Sequence, residues 1–173
     1  MQYAHGGDIY TYKNLLDFSI NVNPLGPADA VVEAAARSLQ RIGEYPDSRS
    51  RELRNALAEK KGLEAERFVI GNGAADLLFS LVLAEKPQKA MIVIPAFSEY
   101  EQALKTVGCE ILYHEVKKEN NFRLGTDLTE KITSELDFLF LCSPSNPAGQ
   151  AVEKEFLIKI AEKCEKERVR LVL

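Results

Sequence analysis

A chain of 173 residues is long enough to bury a sizeable core, and it corresponds to one domain or to one domain and part of another. Hydrophobic residues make up 46% of it and charged residues 28%, with a net charge of -4, a composition typical of a soluble globular protein without a basic surface for nucleic acid. Neither a signal-peptide pattern nor an apolar run approaching the roughly 20 residues of a membrane span is found in the sequence. We therefore expect a cytoplasmic protein whose partners are small molecules or further copies of itself.

The three cysteines, Cys109, Cys142 and Cys164, are odd in number and lie far apart in the sequence. Two of them fall within segments whose apolar residues recur at regular spacing, as core side chains do. This distribution predicts reduced core thiols, which are typical of cytoplasmic proteins, rather than disulfides or zinc ligands.

Glycine and proline interrupt residues 1–27 repeatedly, which predicts an irregular N-terminal arm rather than a domain. Residues 28–67 form a predicted helical segment. Within it, apolar residues recur at helical spacing over Ala28–Ile42 and again over Glu52–Lys61, and Gly62 is placed to end the second helix.

From Phe68 onward the sequence alternates between strand and helix patterns, as βαβ units with a mostly parallel sheet do. In chain order the predicted elements are a strand over 68–70, a helix over 74–83, a strand over 90–94, a helix over 98–107, a strand over 110–116, a helix over 128–136, a strand over 138–142, a helix over 152–166 and a strand over 169–173. Residues 68–173 are thus predicted to form an α/β fold, a mostly parallel sheet with flanking helices. The strand FLFLC, residues 138–142, lacks polar alternation and is predicted to be fully buried.

A stiff polar loop, Ser143–Gly149, follows this buried strand and leads into the last predicted helix. Two prolines fix φ within the loop, and a glycine ends it. Because open α/β sheets bind ligands at the carboxyl ends of their strands, the loop would present Asn146 at a binding edge. Turn chemistry alone favours a purely structural loop, since Asn-Pro is an ordinary turn dipeptide.

The segment GNGAAD, Gly71–Asp76, lies between a predicted strand and a predicted helix. The unpaired backbone N–H groups of the first helical turn would point out of the sheet edge and could bind an anion. The segment matches neither a Walker sequence nor GxGxxG, which disfavours nucleoside triphosphates and dinucleotides. A plain strand-to-helix turn is an equally good interpretation of this motif alone.

The next junction, IPAFSEY, places Phe97 and Tyr100 just beyond a strand end. Aromatic side chains there could cover a bound ring, although a core aromatic over the sheet edge is the commoner case. Taken together, three successive strand ends offer an anion cradle, an aromatic platform and the Asn146 amide. This combination predicts a site for a phosphorylated aromatic ring.

Six segments of the chain carry a resemblance to a known family. They are HGGD, DFSINVNPLG, EYPD, GNGAAD, AMIVIPAFSEY and CSPSNPAGQ, in that order. The set resembles the pyridoxal-phosphate enzymes with the aspartate-aminotransferase fold, the class I and II aminotransferases. Among these it is most similar to threonine-phosphate decarboxylases, with histidinol-phosphate aminotransferases as near relatives. The joint agreement covers the whole chain, whereas any single motif would be weak.

The resemblance implies roles for residues at the three junctions. The backbone N–H groups of Ala74 and Ala75, beside Gly73, would hold the cofactor phosphate. Phe97 would stack on the pyridine ring, and Asn146 would hydrogen-bond the oxygen of the ring hydroxyl.

Further implied roles fall in the N-terminal part of the chain. Tyr45, in EYPD, would reach the cofactor phosphate of a partner subunit, so a homodimer with shared active sites is implied. Asn21 would meet the carboxylate region of the substrate, and His5 would help to hold the substrate phosphate. His114, in a strand-like run, is interpreted as structural.

The resemblance also implies residues that this chain does not supply. By the order of motifs in the family, the aspartate that pairs with the pyridinium nitrogen and then the Schiff-base lysine are expected beyond Leu173. Lys159 and Lys163 match no family motif. Residues 68–173 would then be part of the large cofactor-binding domain, without its remainder and without the small C-terminal domain. The fragment itself would be inactive.

Three functions follow as expectations from this resemblance. The leading one is pyridoxal-phosphate-dependent decarboxylation of threonine phosphate to aminopropanol phosphate in cobalamin biosynthesis. A histidinol-phosphate type of aminotransferase is the alternative within the family. A non-catalytic cofactor-binding or dimerisation module is the alternative of another class.

Overall fold

The computed structural model describes residues 6–13 and 15–173 and divides the chain into two compact units. We call Met1–Phe68 the N-terminal unit and Val69–Leu173 the C-terminal unit.

The N-terminal unit contains the two predicted helices. Helix α1 spans Asp29–Ser38 and continues into a 3₁₀ turn at Leu39–Arg41, and α2 spans Arg51–Lys61. Gly62 ends α2 in the left-handed conformation, with φ at 64°, as the sequence predicts. Neither α1 nor α2 has a buried residue.

The C-terminal unit is the predicted α/β body. Its elements are α3 (Gly73–Glu85), β1 (Lys89–Ile94), α4 (Glu99–Thr106), β2 (Glu110–Glu115), α5 (Leu128–Lys131), β3 (Phe138–Phe140), α6 (Lys154–Glu167) and β4 (Arg170–Val172). The strands form one four-stranded sheet in the order β2-β1-β3-β4, and every pair is parallel. The predicted fold class is therefore confirmed.

Alternate residues along the strands bury opposite faces of the sheet, because successive side chains of a strand point to opposite sides. One face, with Met91 and Leu139 among its residues, packs against α5 and α6. The other face, with Ile92 and Phe140, packs against α3 and α4. The sheet is thus covered by helices on both sides. The predicted burial of the strand over 138–142 is confirmed for residues 138–141, but β3 ends at Phe140 and Cys142 is only half-buried.

The predicted strand over 68–70 is wrong. Phe68 has extended backbone, with φ -107° and ψ 126°, but the sheet has no strand there, because its two edges are β2 and β4. An extended segment without a hydrogen-bonded neighbour is not a strand.

The predicted helix over 128–136 is too long. The observed helix, α5, ends at Lys131, and Ile132 already has extended backbone with ψ at 105°. Leu128, Ile132 and Leu136 are nonetheless all buried. A spacing of four residues suggested one helix, but a single helical turn followed by a loop buries the same three side chains.

Candidate functional site

The N-terminus of α3 lies at the carboxyl edge of the sheet. Helix α3 ends at Glu85 and β1 begins at Lys89, so this short connection lies at the amino edge. The 13 residues of α3 span about 20 Å at the usual helical rise, which carries its first turn to the opposite edge. The positive end of the helix dipole therefore points towards the side on which ligands of α/β sheets bind.

Two N–H groups of this first turn are free to bind an anion. The first four N–H groups of an α-helix have no intrahelical partner. Gly73, with φ at 84°, donates its N–H to the Gly71 carbonyl oxygen at 3.0 Å. The N–H groups of Ala74 and Ala75 follow it in the turn and need a partner from outside the helix.

Asp76 shapes the same turn, and no role was predicted for it. One of its carboxylate oxygens accepts a hydrogen bond from the Asn72 N–H at 2.8 Å. A Cβ atom on Gly71 would lie 2.8 Å from that oxygen, so a larger residue there would displace the Asp76 carboxylate. Aspartate in the first turn of a predicted helix was the available signal for this local cap.

Phe97 and Tyr100 form an aromatic pair where β1 meets α4. Both side chains are half-buried. Their ring centroids are 6.0 Å apart with the planes at 89°, an edge-to-face contact. Tyr100 also packs on Phe140 of β3, with centroids 5.1 Å apart, so the aromatic platform rests on the core.

The loop after β3 is closed by its own hydrogen bonds. Ser145 donates its N–H to Gln150 at 2.8 Å, and Gly149 donates its N–H back to Ser145 at 2.7 Å. Asn146 lies within the loop that these two hydrogen bonds close, and it is exposed. Because β1 and β3 are parallel neighbours, this loop and Phe97 follow adjacent strands at the same edge.

The Ser145 hydroxyl oxygen in this loop is buried, and it has no hydrogen-bond partner among the residues that the structure describes. A cavity of 20 Å³ lies beside it, lined also by Gln150 and by apolar side chains of the core. That volume is sufficient for one water molecule.

The structure thus groups Gly73, Ala74 and Ala75 with Phe97 and Asn146 in one unit, at one sheet edge. Their predicted roles in cofactor binding stay predictions.

The other predicted site residues belong to the N-terminal unit. Tyr45 is 94% exposed, and Asn21 is also exposed. His5 lies outside the described residues. The predicted roles of all three stay predictions.

Asp47 holds the loop that carries Tyr45, a role the sequence analysis did not assign. Its carboxylate accepts hydrogen bonds from the backbone N–H groups of Arg49 and Arg51, at 3.1 and 2.8 Å. It also pairs with the Arg51 guanidinium at 3.1 Å. These bonds, above all that from the Arg51 side chain, hold the pKa of Asp47 well below its usual range. The four-residue spacing of the two charges was the available signal.

His114 and two of the cysteines are core residues of the C-terminal unit. His114 is 3% exposed, and burial followed by the nearby Lys131 ammonium lowers its pKa. Burial raises the pKa values of Cys109 and Cys164 to about 11, so both thiols stay protonated at neutral pH. The structural interpretation of His114 and the prediction of core thiols are confirmed at these positions.

The geometry of the edge fits a phosphorylated aromatic ring. A phosphate requires N–H donors at a positive helix end, and the first turn of α3 offers them. An aromatic ring requires a flat apolar face, which Phe97 offers, and a ring hydroxyl oxygen requires a donor such as the Asn146 amide. Among the described residues no cluster of side chains could hold a metal ion, and no helix there is long and apolar enough to cross a membrane.

Comparison with known proteins identifies relatives along almost the whole chain. The family model of aminotransferase class I and II matches residues 13–173. A threonine-phosphate decarboxylase of Salmonella typhimurium is 38% identical over 178 residues, covering 98% of this chain and 49% of that protein. A histidinol-phosphate aminotransferase of Methanococcoides burtonii is 35% identical, covering 86% of this chain and 42% of that protein.

The fold has a close counterpart among solved structures. The histidinol-phosphate aminotransferase from Clostridium acetobutylicum superimposes with a TM-score of 0.78 at 27% identity, covering 91% of this chain and 46% of that one. The chain therefore spans about half the length of the curated relatives it matches. Aminotransferases of class I and II are pyridoxal-phosphate enzymes. Because the family model matches far more than half of the sequence, this chain belongs to the aminotransferase class I and II family.

Proposed function

We propose that the protein carrying this chain uses pyridoxal phosphate to decarboxylate threonine phosphate to aminopropanol phosphate, a step of cobalamin biosynthesis. The observation that carries the proposal is the grouping of a helix N-terminus, Phe97 and Asn146 at one edge of one sheet. The relative named for this activity supports the choice of substrate, since its match extends over 98% of the chain.

The chain's own residues would bind and orient the cofactor. The N–H groups of Ala74 and Ala75, beside Gly73, would hold its phosphate, aided by the dipole of α3. Phe97 would cover one face of its ring, and the Asn146 side chain would donate a hydrogen bond to the ring hydroxyl oxygen. Once bound, the cofactor supplies an electron sink for the pair released when the bond to the substrate carboxylate breaks.

The N-terminal unit would complete the site in a cytoplasmic homodimer. The Tyr45 hydroxyl would donate a hydrogen bond to the cofactor phosphate of the partner subunit. Asn21 would bind near the substrate carboxylate, and His5 would bind the substrate phosphate. The exposure of Tyr45 is compatible with this role, because its hydroxyl is accessible to a second subunit.

Amino transfer is the second candidate, favoured by the histidinol-phosphate aminotransferase relative at 35% identity. It would use the same cradle and ring contacts and would differ in which substrate bond breaks. The native protein should be incubated with threonine phosphate, with and without 2-oxoglutarate, while carbon dioxide and glutamate are both measured. We expect carbon dioxide without glutamate. Glutamate formation without carbon dioxide would overturn the proposed function.

The isolated 173-residue chain is proposed to be inactive, because none of its lysines stands in a family motif for covalent attachment of the cofactor. Borohydride treatment with pyridoxal phosphate should then leave no single lysine modified in stoichiometric yield. A stoichiometric adduct at one lysine together with turnover would contradict this assignment. Cofactor binding without any turnover in the native protein would instead favour a non-catalytic binding or dimerisation module.

A further inference from the structure

The backbone of Ser145 closes the loop that presents Asn146. The Ser145 N–H donates a hydrogen bond to the Gln150 carbonyl oxygen at 2.8 Å, and the Ser145 carbonyl oxygen accepts one from the Gly149 N–H at 2.7 Å. Asn146 is the next residue along the chain. Because Ser145 and Asn146 are joined by one planar peptide unit, a displacement of Ser145 would also move the Asn146 side chain.

The side chain of Ser145 is directed towards the interior. Its hydroxyl oxygen is buried and makes no hydrogen bond within the part of the chain that the structure describes. It adjoins the cavity of 20 Å³, whose lining is mostly apolar and includes Val93 at the end of β1 and Leu141 just after β3. The cavity therefore lies beneath the loop, between Ser145 and the ends of two neighbouring strands.

The chemistry of this cavity suits one water molecule. Its volume exceeds the roughly 10–15 Å³ that a single water requires. A buried water also requires at least two polar partners, and Ser145 and Gln150 are the lining residues with hydroxyl and amide side chains. Without such a partner the Ser145 hydroxyl would be a buried polar group that lowers the stability of the fold.

We propose that the cavity binds one water molecule, and that Ser145 is a positioning residue whose hydroxyl, held by this water, fixes the loop in the conformation that presents Asn146 to the cofactor ring. The positioning role rests on the proposed function, whereas the water site does not. A serine that only filled space would have a dispensable hydroxyl. The two accounts differ in the sign of the effect when the hydroxyl is removed.

The first test is the stability of Ser145→Ala in the native protein. If water satisfies the hydroxyl, the variant loses a hydrogen bond and the midpoint of urea unfolding should fall. If the hydroxyl has no partner, the variant removes an unsatisfied buried group, so the midpoint should stay the same or rise. Ser134→Ala, at an exposed serine in a turn of the same unit, is the matched control and should keep the wild-type midpoint. A Ser145→Ala midpoint at or above that of wild type would overturn the inference.

The second test is cofactor binding. We expect Ser145→Ala to raise the Kd for pyridoxal phosphate about threefold to tenfold, the range of one neutral hydrogen bond, and to shift the absorbance of the bound cofactor. In the Asn146→Ala background the same substitution should have no further effect, because Ser145 acts through the Asn146 amide. A serine with a general structural role would weaken binding equally in both backgrounds, so additive losses would contradict the positioning role. Ser134→Ala should keep the wild-type Kd and spectrum.

Ser145→Cys provides a conservative variant. The thiol is similar in size to the hydroxyl but is a weaker hydrogen-bonding group. Its Kd for pyridoxal phosphate should therefore lie between those of wild type and Ser145→Ala. A Kd as high as that of Ser145→Ala, in a variant that keeps the urea midpoint of wild type, would contradict the role of the hydroxyl.

A crystal structure of the native protein locates the water directly. We expect a water oxygen within about 3.0 Å of the Ser145 hydroxyl oxygen, and a dry cavity would overturn the inference. If wild-type protein failed to bind pyridoxal phosphate, the proposed function would fall and the positioning role with it, while the stability test would still decide the water site. Normal wild-type binding with an unaffected Ser145→Ala would remove the positioning role alone.

Discussion

The two units of the chain differ in what they bury. The C-terminal unit covers both faces of its sheet with helices, and residues such as Leu139 and Phe140 are completely inaccessible to solvent. The helices of the N-terminal unit bury no residue, although apolar side chains such as Leu39 and Ile42 lie on or beside them. A sheet between helices closes its own core, whereas two short helices do not. The C-terminal unit should therefore supply most of the packing stability of the chain.

The largest expected effect compares the same substitution in the two units. Leu139→Ala removes a fully buried side chain from an interior strand and should lower the free energy of unfolding by about 2–5 kcal/mol. Leu39→Ala, at a side chain that is 63% exposed, should change it by no more than about 0.5 kcal/mol. Urea unfolding of the native protein measures both. Equal losses would mean that Leu39 is covered in the native protein, and they would contradict the difference in burial between the two units.

The second prediction concerns the site of the C-terminal unit. Asn146→Ala removes a hydrogen bond to a partly charged cofactor oxygen, a contact of about 1.5–3 kcal/mol, which corresponds to a rise in Kd on the order of tenfold to a hundredfold. A pyridoxal-phosphate titration followed by absorbance measures it. Asn120→Ala, in an exposed turn after β2, is the matched control and should leave the Kd unchanged. If the affinity and spectrum of Asn146→Ala matched those of wild type, the loop would be purely structural.

The sequence was sufficient to predict those elements whose burial follows from their own pattern of apolar residues. FLFLC predicted a buried strand because its apolar residues are continuous, and the packing of α3, α4 and α6 on the sheet follows from local periodicity. The prediction of a strand over 68–70 was wrong because a strand needs a hydrogen-bonded neighbour, which no local sequence pattern specifies. The length of α5 was predicted wrongly for a related reason. A spacing of four residues does not distinguish a long helix from one helical turn followed by a loop.

Within the candidate site, the sequence indicated which junctions are polar or aromatic but not what supports them. Asp76 as a cap, Asp47 as a clamp on the Tyr45 loop and the ring contact of Tyr100 with Phe140 all depend on side-chain directions in space. Tyr100 and Phe140 are separated by about forty residues of sequence, and the pairing of β1 with β3 brings them together.

A smaller effect is expected where the N-terminal unit contributes to the site. Tyr45→Phe should raise the Kd for pyridoxal phosphate about threefold to tenfold, and only in the dimer, because its hydroxyl would serve the partner subunit. Sedimentation velocity combined with cofactor titration measures both properties in one sample. Tyr10→Phe, at another exposed tyrosine of the same unit, is the control. A monomer with full activity that is indifferent to Tyr45→Phe would exclude the partner-subunit role.

The smallest effect concerns pH and belongs to the C-terminal unit. Buried His114 accepts a hydrogen bond from the Lys131 ammonium at 3.1 Å, which in turn pairs with Asp127 at 3.0 Å. The pKa of His114 in the folded protein lies below its ordinary value of 6.5. The unfolded chain thus binds more protons below pH 6.5, so stability is full above that pH and falls as the pH drops towards the folded pKa.

The His114→Gln variant should accordingly lose less stability than wild type when the pH is lowered from 6.5, the ordinary pKa of histidine, to 5.5. Thermal unfolding at both pH values measures the difference. A wild-type slope in His114→Gln would show that the pH dependence arises elsewhere.

The central claim is that the first turn of α3 and the adjacent strand ends hold a phosphorylated aromatic cofactor. A crystal structure of the native protein grown with pyridoxal phosphate tests it most directly. We expect the phosphate within about 3.2 Å of the backbone nitrogens of Ala74 and Ala75, with the ring against Phe97. A phosphate bound elsewhere, or a ring that does not contact Phe97, would contradict it.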